Sequence, residues 1–243
     1  MGPSPPFIEL TYALTNIKLN LKCNQGTVMI NFDEAPLYGR TEGLKSALTR
    51  LGQKKCSNFI VETGTTRGTL GGGPEADGWA TPLFGWYCKK FGGEVWTIDI
   101  ESEAIEQCKS LTQEFSSVTR YFVGESNKVI NTIEKHIDLL YLDSANDPNI
   151  CLQELLAAEK NISSNTIIYI DDTSIFKKRA GGVCKGVLAY DYLYKKGWDI
   201  TFDNGDQIIL EKSASDERNF FQSFMASWKS KRIYKRVIRK GAL

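Results

Sequence analysis

No stretch of this chain stays apolar for the roughly 18 residues that a membrane-crossing helix needs. The first residues, Met1 to Pro6, have neither the basic nor the apolar part of a signal peptide, and Gly2 to Pro6 read as a loose leader. The six cysteines, Cys23, Cys56, Cys88, Cys108, Cys151 and Cys184, are widely spaced and never form a C-x-x-C pair. That absence argues against a disulfide scaffold and a zinc knuckle, and suggests reduced thiols of a cytoplasmic protein, several of them in the core. No G-x-x-x-x-G-K-[ST] loop is present, which argues against a nucleoside triphosphate site of that type. Internal repeats and low-complexity stretches are also missing. The one histidine, His136, follows Lys135 and precedes an expected strand. An imidazole's pKa would suit a general base, but this one reads as structural or solvent-facing.

Acidic residues are missing from the basic C-terminal tail. Lys229, Lys231, Arg232, Lys235, Arg236, Arg239 and Lys240 follow one another with no Asp or Glu among them, so the net charge of +1 leaves −6 for the rest of the chain. That balance argues against a globally basic nucleic-acid-binding body. The tail could contact a phosphate backbone, an anionic membrane or another subunit, and its interleaved Ile233, Tyr234, Val237 and Ile238 fit a last strand or helix equally well.

What the chain has is length for one sizeable core, 243 residues at 42% hydrophobic. Near the N-terminus, alternation at Ile17, Leu19, Leu21 and Cys23, a turn at Asn24-Gln25-Gly26, and alternation at Val28, Ile30 and Phe32 predict a hairpin. Leu10, Leu14, Ile17 and Leu21 fit a helical face as well.

From Asn58 onward apolar strands alternate with amphipathic helices, the pattern of a sheet covered on both faces. Strands are expected at Phe59 to Thr63, Glu94 to Ile100, Val118 to Val123, Ile137 to Leu142 and Thr166 to Ile170. Between the first two, Thr81 can cap a helix with Pro82 in its first turn and Gly92-Gly93 at its end. Ile105, Cys108, Leu111 and Phe115 mark the next helix by their spacing. Helices follow near Lys128 to Glu134, Ile150 to Lys160 and Lys185 to Lys196. Trp198 to Asp203 and Gln207 to Glu211 then flank Asn204-Gly205-Asp206, a tight-turn signal. A plain dinucleotide-binding fold would add a crossover helix here, whereas this chain closes on a hairpin. Asp216 to Trp228, with Phe220, Phe221, Phe224 and Met225, suits a helix docked on the body.

The chemistry-bearing residues fall at strand ends. Glu62-Thr63-Gly64-Thr65-Thr66-Arg67-Gly68 closes the first strand, and its glycines permit turns and close approach of a ligand to the main chain, though a purely structural loop would look the same. Asp99 ends the second strand, where an acid can accept hydrogen bonds from both ribose hydroxyls of an adenosine cofactor. Gly124-Glu125-Ser126 ends the third, Asp143 the fourth and Asp171-Asp172 the fifth. Carboxylates are costly to bury, and ligands bind at this edge of a parallel sheet, so acids at four successive strand ends point to a site.

In their order, FIVETGTTRG, EVWTIDI, YFVGES, IDLLYLDS and NTIIYIDDT, followed by the closing hairpin, resemble the motifs of class I S-adenosylmethionine (SAM)-dependent methyltransferases over about residues 55 to 212. The resemblance implies an α/β fold, a Rossmann-like three-layer sandwich around a mostly parallel seven-stranded sheet that ends in an antiparallel hairpin. The expected organisation is an N-terminal extension over 1–55, outside the resemblance, packed on a SAM-dependent methyltransferase domain over 56–243. By motif, Glu62, Gly64, Thr65 and Gly68 would line the methionine part of SAM. Asp99 with Ile100 would hold the ribose end, and Gly124, Glu125 and Ser126 would lie by the adenine, with Asp143 also beside the cofactor.

Within that superfamily, Asp143, Asp171 and Asp172 resemble the divalent-metal site of sugar and small-molecule O-methyltransferases, which implies Mg²⁺ or Mn²⁺ holding the acceptor hydroxyl. Asp143 would serve as the catalytic proton acceptor. Alternatively, Asp171 and Asp172 cap a helix. The expected acceptor is a sugar, glycan or other small polar molecule, enclosed by Gly71 to Trp79 and by Ile175 to Gly182. Lys177-Lys178-Arg179 could cover a phosphorylated acceptor or simply be solvated. The absence of an Asn/Asp-Pro-Pro-Tyr/Phe motif after strand four argues against the common base N-methyltransferases. An RNA or protein methyltransferase, or a non-catalytic SAM-fold module binding RNA through the basic tail, are the alternatives.

Overall fold

In the computed structural model, residues 30–37, 41–54, 57–68, 79–173 and 185–212 are described. The seven strands are β1 Phe59–Thr63, β2 Glu94–Asp99, β3 Thr119–Val123, β4 Leu139–Leu142, β5 Ile167–Ile170, β6 Trp198–Asp203 and β7 Ile208–Lys212. They form one sheet in the order β3-β2-β1-β4-β5-β7-β6. The first five are parallel; β7 runs antiparallel to β5 and β6 antiparallel to β7. The described helices are α1 Thr41–Gln53, α2 Ala80–Phe91, α3 Ser102–Leu111, α4 Ser126–Asn131, α5 Pro148–Ala158 and α6 Val187–Lys195.

The central strands β1, β4 and β5 are buried throughout, because both of their faces are covered. Alternation still sorts their side chains: Phe59, Val61, Leu140, Leu142, Ile168 and Ile170 join the core under α5 and α6. Ile60, Leu139, Tyr141, Ile167 and Tyr169 join the opposite core with α1 and α2. On that second side Phe84 of α2 meets Tyr141 edge-on, and Tyr141 meets Tyr169 at 4.7 Å between ring centres. This aromatic row ties α2 to β4 and β5 directly beneath the sheet's carboxyl edge.

The strand bounds differ from the sequence expectation by at most two residues. Three other differences follow. Helix α2 starts two residues earlier than a Thr81 cap requires, with Trp79 at its N-cap, because the Thr81 hydroxyl is engaged elsewhere, as described below. Residues Thr41–Gln53 form a helix where none was expected, placing Leu44, Ala47, Leu48 and Leu51 in the core. Of the N-terminal hairpin only Ile30 to Phe32 are described, and they are not in a strand; Ile30 and Phe32 pack on that same core. Its other arm, the tail helix and the basic tail lie outside the described residues. Cys88, Cys108 and Cys151 are buried thiols, as expected of core cysteines, and burial pushes the Cys108 thiol up to about 11. Among the described residues no helix is long and apolar enough to cross a membrane.

Candidate active site

Parallel register brings Thr63, Ile98, Phe122, Leu142 and Ile170 level at one edge. The ladder continues one step into the loops. Asp143 N–H donates to Thr63 C=O at 2.9 Å, Gly124 N–H to Asp99 C=O at 2.9 Å, and Asp171 N–H to Leu142 C=O at 3.2 Å. The expected acids are thereby held by backbone geometry. The chain runs outward from β1 to β3 and returns at β4, so β1 and β4 flank the point where a doubly wound sheet opens a crevice.

A cavity of about 690 Å³ occupies that crevice, within the range of roughly 300–1,000 Å³ usual for small-molecule pockets. Gly64, Thr65, Asp99, Ile100, Gly124, Glu125, Ser126 and Asp143, all anticipated from the sequence, line it. Asp172 lines it too, whereas Glu62, Gly68 and Asp171 do not. Glu62 is buried beneath the glycine loop, where the Thr81 hydroxyl donates to its Oε2 at 2.7 Å and itself accepts from Thr66 N–H at 3.2 Å. Burial, with Asp143 and Asp99 nearby, outweighs that hydrogen bond and pushes the Glu62 carboxyl up to about 8. Gly68 N–H donates to Gln107 Oε1 at 3.2 Å.

Asp99 is buried to its carboxyl tip. Its Oδ1 accepts from Glu101 N–H at 2.9 Å, and its Oδ2 lies 3.0 Å from the Arg67 guanidinium of the glycine loop. Each carboxylate oxygen keeps a second lone pair for a hydroxyl from the cavity side. Next to it, Ile100 is 67% exposed and borders the cavity, as does the partly exposed Ile150.

At the other end, Asp143 meets Lys185, a lysine buried at the entry to α6. The Lys185 ammonium lies 3.1 Å from Asp143 Oδ1 and donates to Ser144 C=O at 3.0 Å. The Tyr141 hydroxyl sits 3.0 Å from Asp143 Oδ2 and 2.8 Å from Asp171 Oδ2, one phenol proton serving two carboxylates. Asp171 Oδ1 accepts from Asp172 N–H at 2.8 Å, and Asp172 turns the chain with φ = 51°. Burial and the neighbouring Asp171 and Asp172 raise the Asp143 carboxyl to about 7 despite the opposing pull of Lys185. Burial also drives the Tyr141 phenol well above its ordinary range.

Two carboxylates of the expected metal trio are therefore already committed to a cation, a phenol and an amide. Among the described residues no group of three His, Cys, Asp or Glu side chains is arranged to hold an ion, and with the Lys185 ammonium against Asp143 the donor set does not fit the expected Mg²⁺ or Mn²⁺.

Sequence reasoning missed Lys185 and Glu154 at this site. Glu154 of α5 borders the cavity floor and accepts from the Thr63 hydroxyl at 3.1 Å and from Ser126 Oγ, which fastens β1 to α4. Its carboxyl is raised by burial, against the pull of the Ser126 hydroxyl. The signal for it was an acid on the apolar face of Cys151 and Leu155. Asp147 caps α5 through Asn149 and Ile150 N–H with Pro148 in the first turn. His136 stands at the opposite end of β4, its Nε2 3.7 Å from Asp138 Oδ1, outside the cavity lining, in keeping with a structural or solvent-facing role. Residues 71–78 and 174–184, which hold most of both expected enclosing segments and the Lys177-Lys178-Arg179 cluster, lie outside the described residues.

No protein-family model matches the chain, and no curated protein is significantly similar to it. Solved structures are similar in fold. The SAH-bound Podospora anserina methyltransferase PaMTH1 is 14% identical, over 73% of this chain and 80% of its own, with a TM-score of 0.54. A Corynebacterium glutamicum protein is also 14% identical, over 76% of this chain and 86% of its own, with a TM-score of 0.52. With this strand order and closing hairpin, the chain has the fold of the class I SAM-dependent methyltransferases.

Proposed function

We propose that this protein is a SAM-dependent methyltransferase that methylates a hydroxyl oxygen of a sugar or other small polar acceptor. The observation that supports it is the single cavity edge with Asp99 at one end and Asp143 at the other, joined by the Gly64 loop. The described residues suit SAM. Asp99 offers carboxylate lone pairs to a ribose diol, Ile100 and Ile150 offer apolar surface to an adenine, and Gly64 and Thr65 leave room for the methionine part. When bound, SAM supplies a sulfonium-activated methyl group that an acceptor oxygen can take by direct displacement, with no covalent enzyme intermediate.

Asp143 is the proposed proton acceptor. A carboxyl raised to about 7 is poised near neutral pH for that exchange. Lys185 orients it and balances its charge, and the acids bordering the cavity offer acceptor sites to a hydroxylated substrate. A direct test is calorimetric titration with SAH, followed by incubation with SAM and candidate acceptors, with the new methyl located by mass spectrometry and NMR. A methylated RNA base or protein side chain as the preferred product would reject the small-molecule choice. Absence of SAH binding would reject the whole reading.

A further inference from the structure

The acids after β4 and β5 look from the sequence like a cation site, and the fold does bring them together. A cation is already there. Lys185 is one of the largest fully buried side chains of the described protein, although a lysine is almost never buried unless it is paired. Its ammonium touches an Asp143 oxygen and the Ser144 carbonyl within 3.1 Å. The second Asp143 oxygen and one Asp171 oxygen share the Tyr141 hydroxyl, and Asp172 N–H holds the other Asp171 oxygen.

A divalent ion at Asp143 would have to approach this ammonium closely and strip the phenol from both acids. Like charges at such range repel strongly where water is excluded. Removing the lysine reverses the balance, because the Asp143 carboxylate would then be buried without this ammonium, and breaking a buried pair costs far more than leaving the lysine in place.

We propose that the Lys185 ammonium takes the place of a divalent cation against Asp143, so that the acidic centre carries its own counter-charge and accepts Mg²⁺ or Mn²⁺ only when that lysine is lost. In catalytic terms, which alone rest on the methyltransferase reading, Lys185 is a positioning residue: it fixes the Asp143 carboxylate and stabilises its ionised form beside the acceptor.

The test uses Mn²⁺ alone, followed by electron paramagnetic resonance and by thermal unfolding of the full chain. The wild-type protein should leave Mn²⁺ free and show no Asp143-dependent rise in Tm. Lys185→Met, which keeps the length of the stem and removes the charge, should gain one saturable Mn²⁺ site and a Tm that rises with Mn²⁺. Lys185→Met/Asp143→Asn should lose both. Stoichiometric Mn²⁺ binding by the wild type that Asp143→Asn abolishes would overturn the proposal, and this arm stands even if the lysine variant does not fold. A folded Lys185→Met protein that binds no Mn²⁺ would overturn it equally. SAH titration of the metal-free wild type judges the cofactor reading separately, since its failure leaves the Mn²⁺ results unaffected.

Discussion

A β-carbon on Gly64 would stand 2.3 Å from the carbonyl oxygen of Asp143, and Gly64 itself holds φ = 79°. The loop after β1 therefore lies against the main chain after β4, at the switch point where the cavity opens. That contact cannot relax by a side-chain rotation, because the obstructing atoms are backbone. Gly64→Ala should lose on the order of 3 kcal/mol of stability from combined overlap and strain. Gly68 has φ = 89° with nothing within 4 Å of its missing β-carbon, so Gly68→Ala should cost only about 1 kcal/mol. Urea unfolding of the two variants checks this ordering, and equal midpoints would refute it.

Asp99 makes the second prediction. Its replacement by alanine removes a carboxylate that lines the cavity and leaves Arg67, itself 44% exposed, free to turn to water. The fold should tolerate that change. SAH binding should weaken by about 1–3 kcal/mol, the usual loss for hydrogen bonds to a charged group. Calorimetry that finds unchanged affinity in folded Asp99→Ala protein rejects its role in holding a ribose.

These residues were legible before any coordinates because a parallel sheet places every strand's carboxyl end on one edge, so an acid after an apolar run has a known address. The same logic could not find Lys185. It sits 42 residues beyond Asp143, outside any strand end, and only tertiary placement buries it against that acid. Helix α1 was legible in principle, since Leu44, Ala47, Leu48 and Leu51 repeat at helical spacing and are its buried face. Thr81 was misread for a local reason. A threonine before a proline suits a cap, yet the buried Glu62 carboxyl competes for its hydroxyl and wins.

Glu62 predicts a pH dependence of stability. Its carboxyl rises from 4.5 to about 8 on folding, chiefly through burial. Between those values the native protein holds a proton that the unfolded chain has released, so stability is complete below about 4.5 and is lost as pH rises through 8. One full proton corresponds to a slope of about 1.4 kcal/mol per pH unit. Glu62→Gln keeps an acceptor for Thr81 and cannot ionise, so it should be the more stable protein at pH 9 and lose the slope between 7 and 8. Parallel stability curves for the two proteins would show that Glu62 titrates normally.

Asp143 carries the last prediction, and its sign has two parts. As a buried acid raised from 3.8 to about 7, it stabilises the fold when protonated and withdraws that contribution as pH rises through 7. As a base it works only when ionised, so methyl transfer should climb over that same interval, gaining activity where the fold loses stability. Asp143→Asn should reduce transfer by about 10²–10⁴-fold, the usual share of a general base, and abolish the rise near pH 7. Lys185 opposes the upward shift, so Lys185→Met should move the midpoint above 7 in the absence of metal. Carbon-13 NMR titration of the Asp143 carboxyl reads the midpoint without needing the acceptor. A midpoint near 4, or an activity that is flat from pH 6 to 8 with Asp143→Asn still active, would remove Asp143 from the proton transfer and leave it a structural partner of Lys185.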